Sequence, residues 1–144
     1  MHMKNFTPVS KIIRTNCTVI EAEADIQSIR FIFEHFPNQF LPVVRGLRFI
    51  GVILRDEFFR DYNTNREDFA SAADMVSKEM VMLSPDDNLS DAKEIFDTKV
   101  FDVIPVADED GDLMGIVLRE DVEIQLMKRE NLVNPFAVLR RAFA

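Results

Sequence analysis

The acidic segment Asp108–Asp112 has the residue types that come closest to those of a metal site. A calcium loop needs glycine at its sixth position and a bidentate glutamate at its twelfth. Counted from Asp108, Gly111 is fourth and Arg119 is twelfth, so the spacing does not match. A short polar connection with a glycine between two apolar runs is typical of a hairpin. We therefore predict a turn here and no metal site.

Other reactive side chains lack the partners that catalysis or metal binding would require. Cys17 is the lone cysteine and is interpreted as a core residue, and His2 and His35 stand too far apart to suggest a zinc cluster. The 4 glycines leave no phosphate loop or dinucleotide fingerprint. No serine lies between glycines as in a nucleophile elbow. The sequence therefore predicts no enzyme, and an enzymatic function ranks third among the alternatives.

The charge and hydropathy of the chain argue against two classes of partner. A formal net charge of −8 without a concentrated basic patch opposes binding to a phosphate backbone. No apolar run approaches the roughly 20 residues that span a bilayer, and no secretory signal is visible at the N-terminus. We expect a cytoplasmic protein with no nucleic-acid partner and no membrane insertion.

The chain repeats itself after 63 residues. The aligned segments are Ile26–Phe33 with Leu89–Phe96, Phe40–Val44 with Val103–Ala107, and Phe49–Arg55 with Leu113–Arg119. The second copy has one extra residue before the last of these segments. A repeat of this length usually corresponds to one supersecondary unit. We predict that the copies superpose, with Pro42 over Pro105 and Gly51 over Gly115.

Each copy alternates between the periods of strands and helices. We predict a short strand, a helix, a hairpin and a closing helix. The predicted first strands are Cys17–Ile20 and Met80–Leu83, the hairpin strands are Phe40–Val44, Phe49–Leu54, Val103–Ala107 and Leu113–Leu118, and the closing helices run from about Asp56 to Tyr62 and Glu120 to Arg129. The stripe Ile29, Ile32 and Phe33 should be buried like Ala92, Ile95 and Phe96.

The fold class is therefore α/β (α+β), built from two β-α-β-β-α repeats. Strand runs that are apolar at nearly every position indicate sheets covered on most of their surface, which neither half can provide alone. We assign residues 9–62 to the first repeat, 63–73 to a polar linker, 74–130 to the second repeat and 131–144 to a tail.

The ordered motifs resemble a tandem pair of cystathionine-β-synthase-type (CBS) domains, also called a Bateman module, from about Val9 to Met127. The second copy matches better, through Leu83-Ser84-Pro85, Val103-Ile104-Pro105-Val106, Gly115-Ile116-Val117 and Arg119-Glu120-Asp121-Val122. The resemblance implies two repeats packed sheet to sheet about a pseudo-twofold axis. It also implies adenosine nucleotides in the clefts between the repeats, and regulation of an attached or partner protein.

The resemblance implies a ligand site after each glycine-led strand. In nucleotide-binding members that strand ends in Ser or Thr, and an Asp three residues further on accepts hydrogen bonds from ribose. Asp121 matches this Asp, Glu57 takes its place in the first copy, and Leu54 and Leu118 stand at the hydroxyl positions. We expect the second copy to hold the stronger site. The predicted binding residues are Asp121, Arg119, Leu118, Ile104, Pro105, Phe101, Glu57, Arg55 and Leu41.

Several of these residues also have a purely structural interpretation. Arg55 and Arg119 would meet an anionic ligand or be solvated at helix starts. Leu41 and Ile104 would contact a planar ring, or the prolines that follow them would only limit the strand ladders. Phe36, Phe40 and Phe101 would stack on a base or belong to the core.

Two functional hypotheses follow. The first is a regulatory module that senses AMP, ADP, ATP, S-adenosylmethionine or a related small anionic ligand in the inter-repeat cleft and controls a partner or attached domain. The alternative is a dimerisation or protein-interaction scaffold that has lost its ligand, which Leu54 and Leu118 favour because leucine offers no hydroxyl.

Apolar residues beside the predicted core stripes indicate a homodimer joined through helices. These residues are Phe31, Phe36, Phe59 and Leu126. A contiguous exposed apolar patch usually meets a partner, and identical chains most often close as a twofold dimer. Alternatively, the tail covers the patch through Phe136 and Leu139.

Overall fold

The computed structural model describes residues 6–64, 71–79, 81–99 and 101–133. The elements of the first half are β1 (Ile20–Glu21), α1 (Ile26–His35), β2 (Phe40–Arg45), β3 (Arg48–Leu54) and α2 (Arg55–Thr64). Those of the second half are α3 (Leu89–Thr98), β4 (Val103–Ala107), β5 (Leu113–Leu118) and α4 (Arg119–Val133). A short 3₁₀ helix precedes each half, at Val9–Ile12 and Ala72–Met75.

The two sheets have matching registers, which confirms the predicted repeat. Strands β2 and β3 are antiparallel, as are β4 and β5. Pro42 lies opposite Val52, and Pro105 lies opposite Ile116 at the equivalent position. Strand β1 pairs in parallel with β2, whereas the described residues of the predicted strand Met80–Leu83 form a single parallel bridge, between Leu83 and Val106.

The helical stripes are buried as predicted. Ile29 and Phe33 are buried and Ile32 is half-buried in α1, and Ala92, Phe96 and Ile95 follow the same order in α3. Asp25 caps α1 by accepting a hydrogen bond from the Ser28 amide at 2.9 Å. This bond satisfies a helix-start amide that has no partner within the helix. Each stripe then packs on its own sheet in a separate core cluster.

Each 3₁₀ helix packs on the core of the other half. Val9 is fully buried among residues of the second half, and its amide donates to the Asp87 carbonyl at 2.8 Å. Ala72 is fully buried in the first core, and its amide donates to the Ala24 carbonyl at 2.8 Å. Val9 and Ala72 are equivalent in the repeat, so the two halves exchange their leading segments. We call residues 8–14 and 71–77 the crossing segments.

The exchange of the crossing segments affects where the boundaries between the repeats lie. Residues 63–73 are not a linker throughout, because α2 extends to Thr64 and Ser71 opens a capping box for the second 3₁₀ helix. The run of small and polar residues gave no indication that Ala72 is buried. Its small side chain packs against the first core. The tail prediction for Phe136 and Leu139 lies outside the described residues.

The hairpin tips of the two halves bind one another. The Phe49 amide donates to the Gly111 carbonyl at 2.9 Å, and the Leu113 amide donates to the Leu47 carbonyl at 3.1 Å. The carboxylate of Asp108 accepts the amides of Asp110 and Asp112, each at 2.9 Å. As predicted, this acidic segment is a turn.

Gly115 is where a crossing segment passes closest to the opposite sheet. Its φ is +152°, and a Cβ atom there would lie 2.3 Å from the Arg14 carbonyl oxygen. That oxygen accepts the Ile116 amide at 2.9 Å, while the Arg14 amide donates to the Ile116 carbonyl at 2.8 Å. A side chain at Gly115 would force this pair of hydrogen bonds apart.

We expect Gly115→Ala to destabilise the fold more than Gly46→Ala. Both glycines have positive φ, but nothing lies within 4 Å of a Cβ at Gly46. Gly46→Ala should therefore cost only the backbone term of about 1 kcal/mol. Gly115→Ala adds steric overlap, which should raise its cost by a further ~1–3 kcal/mol. Denaturant unfolding of both variants measures the difference, and equal losses would contradict the crossing.

Candidate ligand-binding cleft

A cleft of about 880 Å³ lies between the two halves. The first half contributes residues 16–18 before β1, residues 37–40 at the entry to β2, and Asp56 and Glu57 at the start of α2. The second half contributes residues 101–103, and strand residues Pro42, Leu54, Ile116 and Leu118 complete the walls. Small-molecule sites commonly have volumes of roughly 300–1,000 Å³.

The walls combine apolar surface with hydrogen-bonding groups. Phe40 and Phe101 are half-buried and line the cleft together with the leucines at the expected hydroxyl positions. The polar lining consists of Asn16, Thr18, Asn38 and Gln39. Asp56, Glu57 and Asp102 add three carboxylates, and no lysine or arginine of the described residues lines the cleft. Such walls suit a flat apolar ring that carries hydroxyl or amine donors.

Glu57 is held in place by the second crossing segment. The Ser77 hydroxyl donates to Glu57 Oε2 at 3.2 Å, and the Ser77 amide donates to the Val52 carbonyl at 2.7 Å. These bonds hold the Glu57 carboxylate at the N-terminal end of α2, where it lines the cleft. Ser77 is buried and Glu57 is half-buried, so this contact is partly buried.

Asp121, the equivalent of Glu57, is engaged by the first crossing segment. The Arg14 guanidinium donates from Nε to Oδ2 at 2.7 Å and from Nη2 to Oδ1 at 2.9 Å. Hydrogen bonding from Arg14 holds the pKa of Asp121 below its usual range, although burial opposes the shift. We had expected the stronger site at Asp121, but the large cleft is lined by Glu57 and not by Asp121.

Arg55 and Arg119 support the helices instead of lining the cleft. Arg119 donates to the Phe96 carbonyl in α3 at 2.5 Å, and its guanidinium lies 5.3 Å from the Phe96 ring centre. Arg55 donates to the Phe33 carbonyl, and its guanidinium lies 5.8 Å from the Phe33 ring centre. Each arginine thus satisfies a carbonyl of the preceding helix. Neither is positioned to meet an anion in the cleft.

The other predicted residues lie in two further places. Ile104 and Pro105 are buried and line a smaller cavity of about 30 Å³, which Phe101 also lines. Leu41 is fully buried in the first core. Phe36 is exposed and lines neither cavity. Of the nine predicted residues, the structure therefore brings Glu57, Phe101 and Leu118 together in the large cleft.

Sequence reasoning missed several lining residues, notably Asn16, Thr18, Asp56 and Asp102. It placed Cys17 in the core, whereas Cys17 is half-buried and lines the cleft, and burial raises the pKa of its thiol. A usable signal was position in the repeat, because these residues stand within two positions of the ends of predicted strands. Residue type alone gave no such indication.

Two negative findings apply to the described residues. They contain no cluster of three or more histidine, cysteine, aspartate or glutamate side chains that could hold a metal ion. None of the helices within these ranges is long and apolar enough to cross a membrane.

Residues 72–131 match the family model described as "CBS domain". Among curated proteins, the uncharacterized protein MJ0188 of Methanocaldococcus jannaschii is 25% identical over 91% of this chain and 51% of its own length. The inosine-5′-monophosphate dehydrogenase of Korarchaeum cryptofilum is 27% identical over 78% of this chain and 23% of its own length. The chain thus spans about half of the first relative and under a quarter of the second.

Solved CBS pairs share the fold. CBSX2 of Arabidopsis thaliana, in complex with AMP, has a TM-score of 0.69 at 21% identity and covers 85% of this chain and 98% of its own. The CBS pair of protein MJ0100, in complex with 5′-methylthioadenosine and S-adenosylmethionine, scores 0.65 at 16% identity over 86% and 98%. The CBS domain of a bacterial CNNM/CorC family Mg²⁺ transporter, in complex with ATP, scores 0.65 at 20% identity over 81% and 84%.

We expect the Arg14 to Asp121 ion pair to give an acid-dependent contribution to stability. Because the pKa of Asp121 is lowered on folding, this contribution is present above the unfolded pKa of about 4 and is lost as the pH falls through the folded value. In Arg14→Leu the NMR titration midpoint of Asp121 should rise. The melting temperature should fall at pH 7, and the deficit should shrink in acid.

Arg45→Leu is the matched control for this titration. Arg45 and its partner Glu23 have side chains that are 57% and 69% exposed, so this ion pair should contribute little. A deficit in Arg14→Leu that is unchanged at low pH would contradict the assignment.

Proposed function

Since the chain folds as a tandem CBS pair whose second repeat belongs to the CBS domain family, we propose that it is a regulatory module that binds an adenosine-type ligand between its repeats. It acts without catalysis and controls an attached domain or a partner protein. Its cytoplasmic location stays a prediction.

The observation that carries this proposal is the cleft of about 880 Å³ with aromatic walls and a carboxylate at its edge. Phe40 and Phe101 offer faces against which an adenine ring packs. Glu57 takes the place of the family's ribose-binding Asp and accepts hydrogen bonds from hydroxyl groups. Asn16, Asn38 and Gln39 supply both donors and acceptors for the edges of the base.

The ligands of the related structures support the same chemistry. AMP, 5′-methylthioadenosine, S-adenosylmethionine and ATP were found with CBS pairs of this fold, and they share the adenosine group. Leu54 and Leu118 stand at the strand ends where nucleotide-binding members have a hydroxyl side chain. The polar side chains of residues 16–18 and 37–39 make the polar contacts to the ligand instead.

The lengths of the relatives support the proposed control of another protein. The matched segment is only part of the dehydrogenase and of the archaeal protein. A ligand that contacts both repeats favours the arrangement of the repeats in which those contacts form. It can shift the conformational equilibrium of a coupled partner by as much as its affinity differs between the two arrangements.

We expect Glu57→Ala to weaken binding of adenosine compounds by about tenfold or more, because hydrogen bonds to a charged group contribute about 1.5–3 kcal/mol. Isothermal titration calorimetry with 5′-methylthioadenosine, S-adenosylmethionine, AMP and ATP measures the effect. Ser77→Ala is the matched control, because it removes the 3.2 Å hydrogen bond to Glu57 but keeps the carboxylate.

The same titration separates the two acids. Asp121→Ala should leave the affinity within about twofold, since Asp121 does not line the cleft. A loss in Asp121→Ala with none in Glu57→Ala would place the ligand at the second repeat. If none of the four compounds binds, the ligand-free scaffold becomes the better description.

We also propose that the chain forms a homodimer through α1. Phe31 and Phe36 on and after this helix are 56% and 47% exposed, and the His35 ring stacks on Phe31 at 4.0 Å. A second copy would bury this apolar surface. Phe59 and Leu126, which we expected in the interface, are half-buried and pack against the two cores.

We expect a mass near twice the 16.6 kDa of one chain in light scattering after size-exclusion chromatography. Phe31→Asp should give the monomer with an unchanged circular dichroism spectrum. Leu47→Asp on the first hairpin tip is the control, because Leu47 is 77% exposed and lies away from α1 in the chain. A monomeric wild type at micromolar concentration would contradict the dimer.

A further inference from the structure

We propose that the cleft selects adenosine derivatives whose 5′ substituent is uncharged or cationic, and that it discriminates against 5′-phosphates. This inference rests on the proposed function and narrows its ligand class. It reverses our expectation of an anionic ligand, for reasons that lie in the placement of the charged side chains.

Three carboxylates line the cleft. Asp56 and Glu57 belong to the first turn of α2, and Asp102 precedes β4 on the opposite half. Asp102 is partly neutralised, because Arg119 Nε donates to its Oδ1 at 3.0 Å. Within the described ranges, no lysine or arginine forms an ion pair with Asp56 or Glu57. The described part of the first half therefore presents two carboxylates that form no ion pair with another described residue.

The nearby arginines are directed to other partners. Arg55 binds the Phe33 carbonyl of α1 and Arg119 binds the Phe96 carbonyl of α3. Arg14 is bound by both oxygens of Asp121. The positive end of the α2 dipole would ordinarily attract a phosphate. Here Asp56 and Glu57 occupy the first turn and oppose that attraction.

The balance of charge decides which ligand is favoured. A monoester phosphate carries about −1.5 to −2 near pH 7, so AMP brings like charge towards the acidic wall. The methylthio group of 5′-methylthioadenosine brings no charge. In S-adenosylmethionine the sulfonium and amino groups outweigh the single carboxylate, so this ligand brings net positive charge. Partial burial in the cleft weakens solvent screening and enlarges the difference. We expect 5′-methylthioadenosine and S-adenosylmethionine to bind at least about tenfold more tightly than AMP or ATP.

Calorimetric titration of the full chain with these four compounds tests the inference. The ATP arm is run with Mg²⁺ and with EDTA, because a bound cation masks phosphate charge. Raising NaCl from 50 to 500 mM should weaken S-adenosylmethionine binding and strengthen AMP binding, since salt screens attraction and repulsion alike. Tighter binding of AMP, or of ATP in either arm, than of 5′-methylthioadenosine overturns the inference but keeps the proposed function.

Asp56→Asn provides a direct test of the charge. It should raise the affinity for AMP relative to 5′-methylthioadenosine by severalfold. Asp91→Asn is the matched control, because it removes the same charge from the first turn of α3, outside the cleft, and should leave the ratio unchanged. An unchanged ratio in Asp56→Asn overturns the inference. Absence of binding by all four compounds overturns the proposed function and the inference together.

Discussion

The exchange of the crossing segments is the constraint on which the rest of the structure depends. The Arg14 and Ile116 main chains bind each other with two hydrogen bonds of 2.8 and 2.9 Å, and the Ser77 amide binds the Val52 carbonyl at 2.7 Å. Val9 and Ala72 then complete the apolar core of the opposite half. Since each core contains a side chain from the other half, the two sheets cannot separate without opening both cores.

The same exchange distinguishes the two acids that follow the glycine-led strands, Glu57 and Asp121. Position 14 is arginine and its repeat equivalent, position 77, is serine. The long guanidinium reaches the acid of the second half and binds both of its oxygens, whereas the short hydroxyl makes a single bond to Glu57. Glu57 therefore keeps hydrogen-bonding capacity for a ligand, and the equivalent acid is committed to holding the repeats together. The difference between Arg14 and Ser77 in the crossing segments thus distinguishes the two equivalent acids.

The repeat allowed the helices and hairpins to be predicted from the sequence, because periodicity and turn chemistry are local properties. The predicted first strands were less accurate, since β1 is Ile20–Glu21 and not Cys17–Ile20, and the described residues of Met80–Leu83 form a single bridge at Leu83. The buried stripe of α1 and its counterpart in α3 followed from spacing alone. The partners of Arg55 and Arg119 could not be predicted from spacing, since an arginine at the start of a helix has the same sequence context whether it contacts solvent, a ligand or a carbonyl. The position of Cys17 and the burial of Ala72 depend on contacts between distant segments, which one sequence does not reveal.

The closed pairing of the hairpin tips, together with the reciprocal crossing, makes the two halves of the chain self-complementary. Two separate copies of one repeat could form the same set of contacts about a true twofold axis, as in a domain-swapped dimer. Joining them in one polypeptide replaces a bimolecular association by an intramolecular one at high effective concentration. It also frees each copy to mutate independently. Joining two self-complementary halves in one chain therefore supports the stability of the pair and lets the acid of each half take a different partner, Ser77 for Glu57 and Arg14 for Asp121.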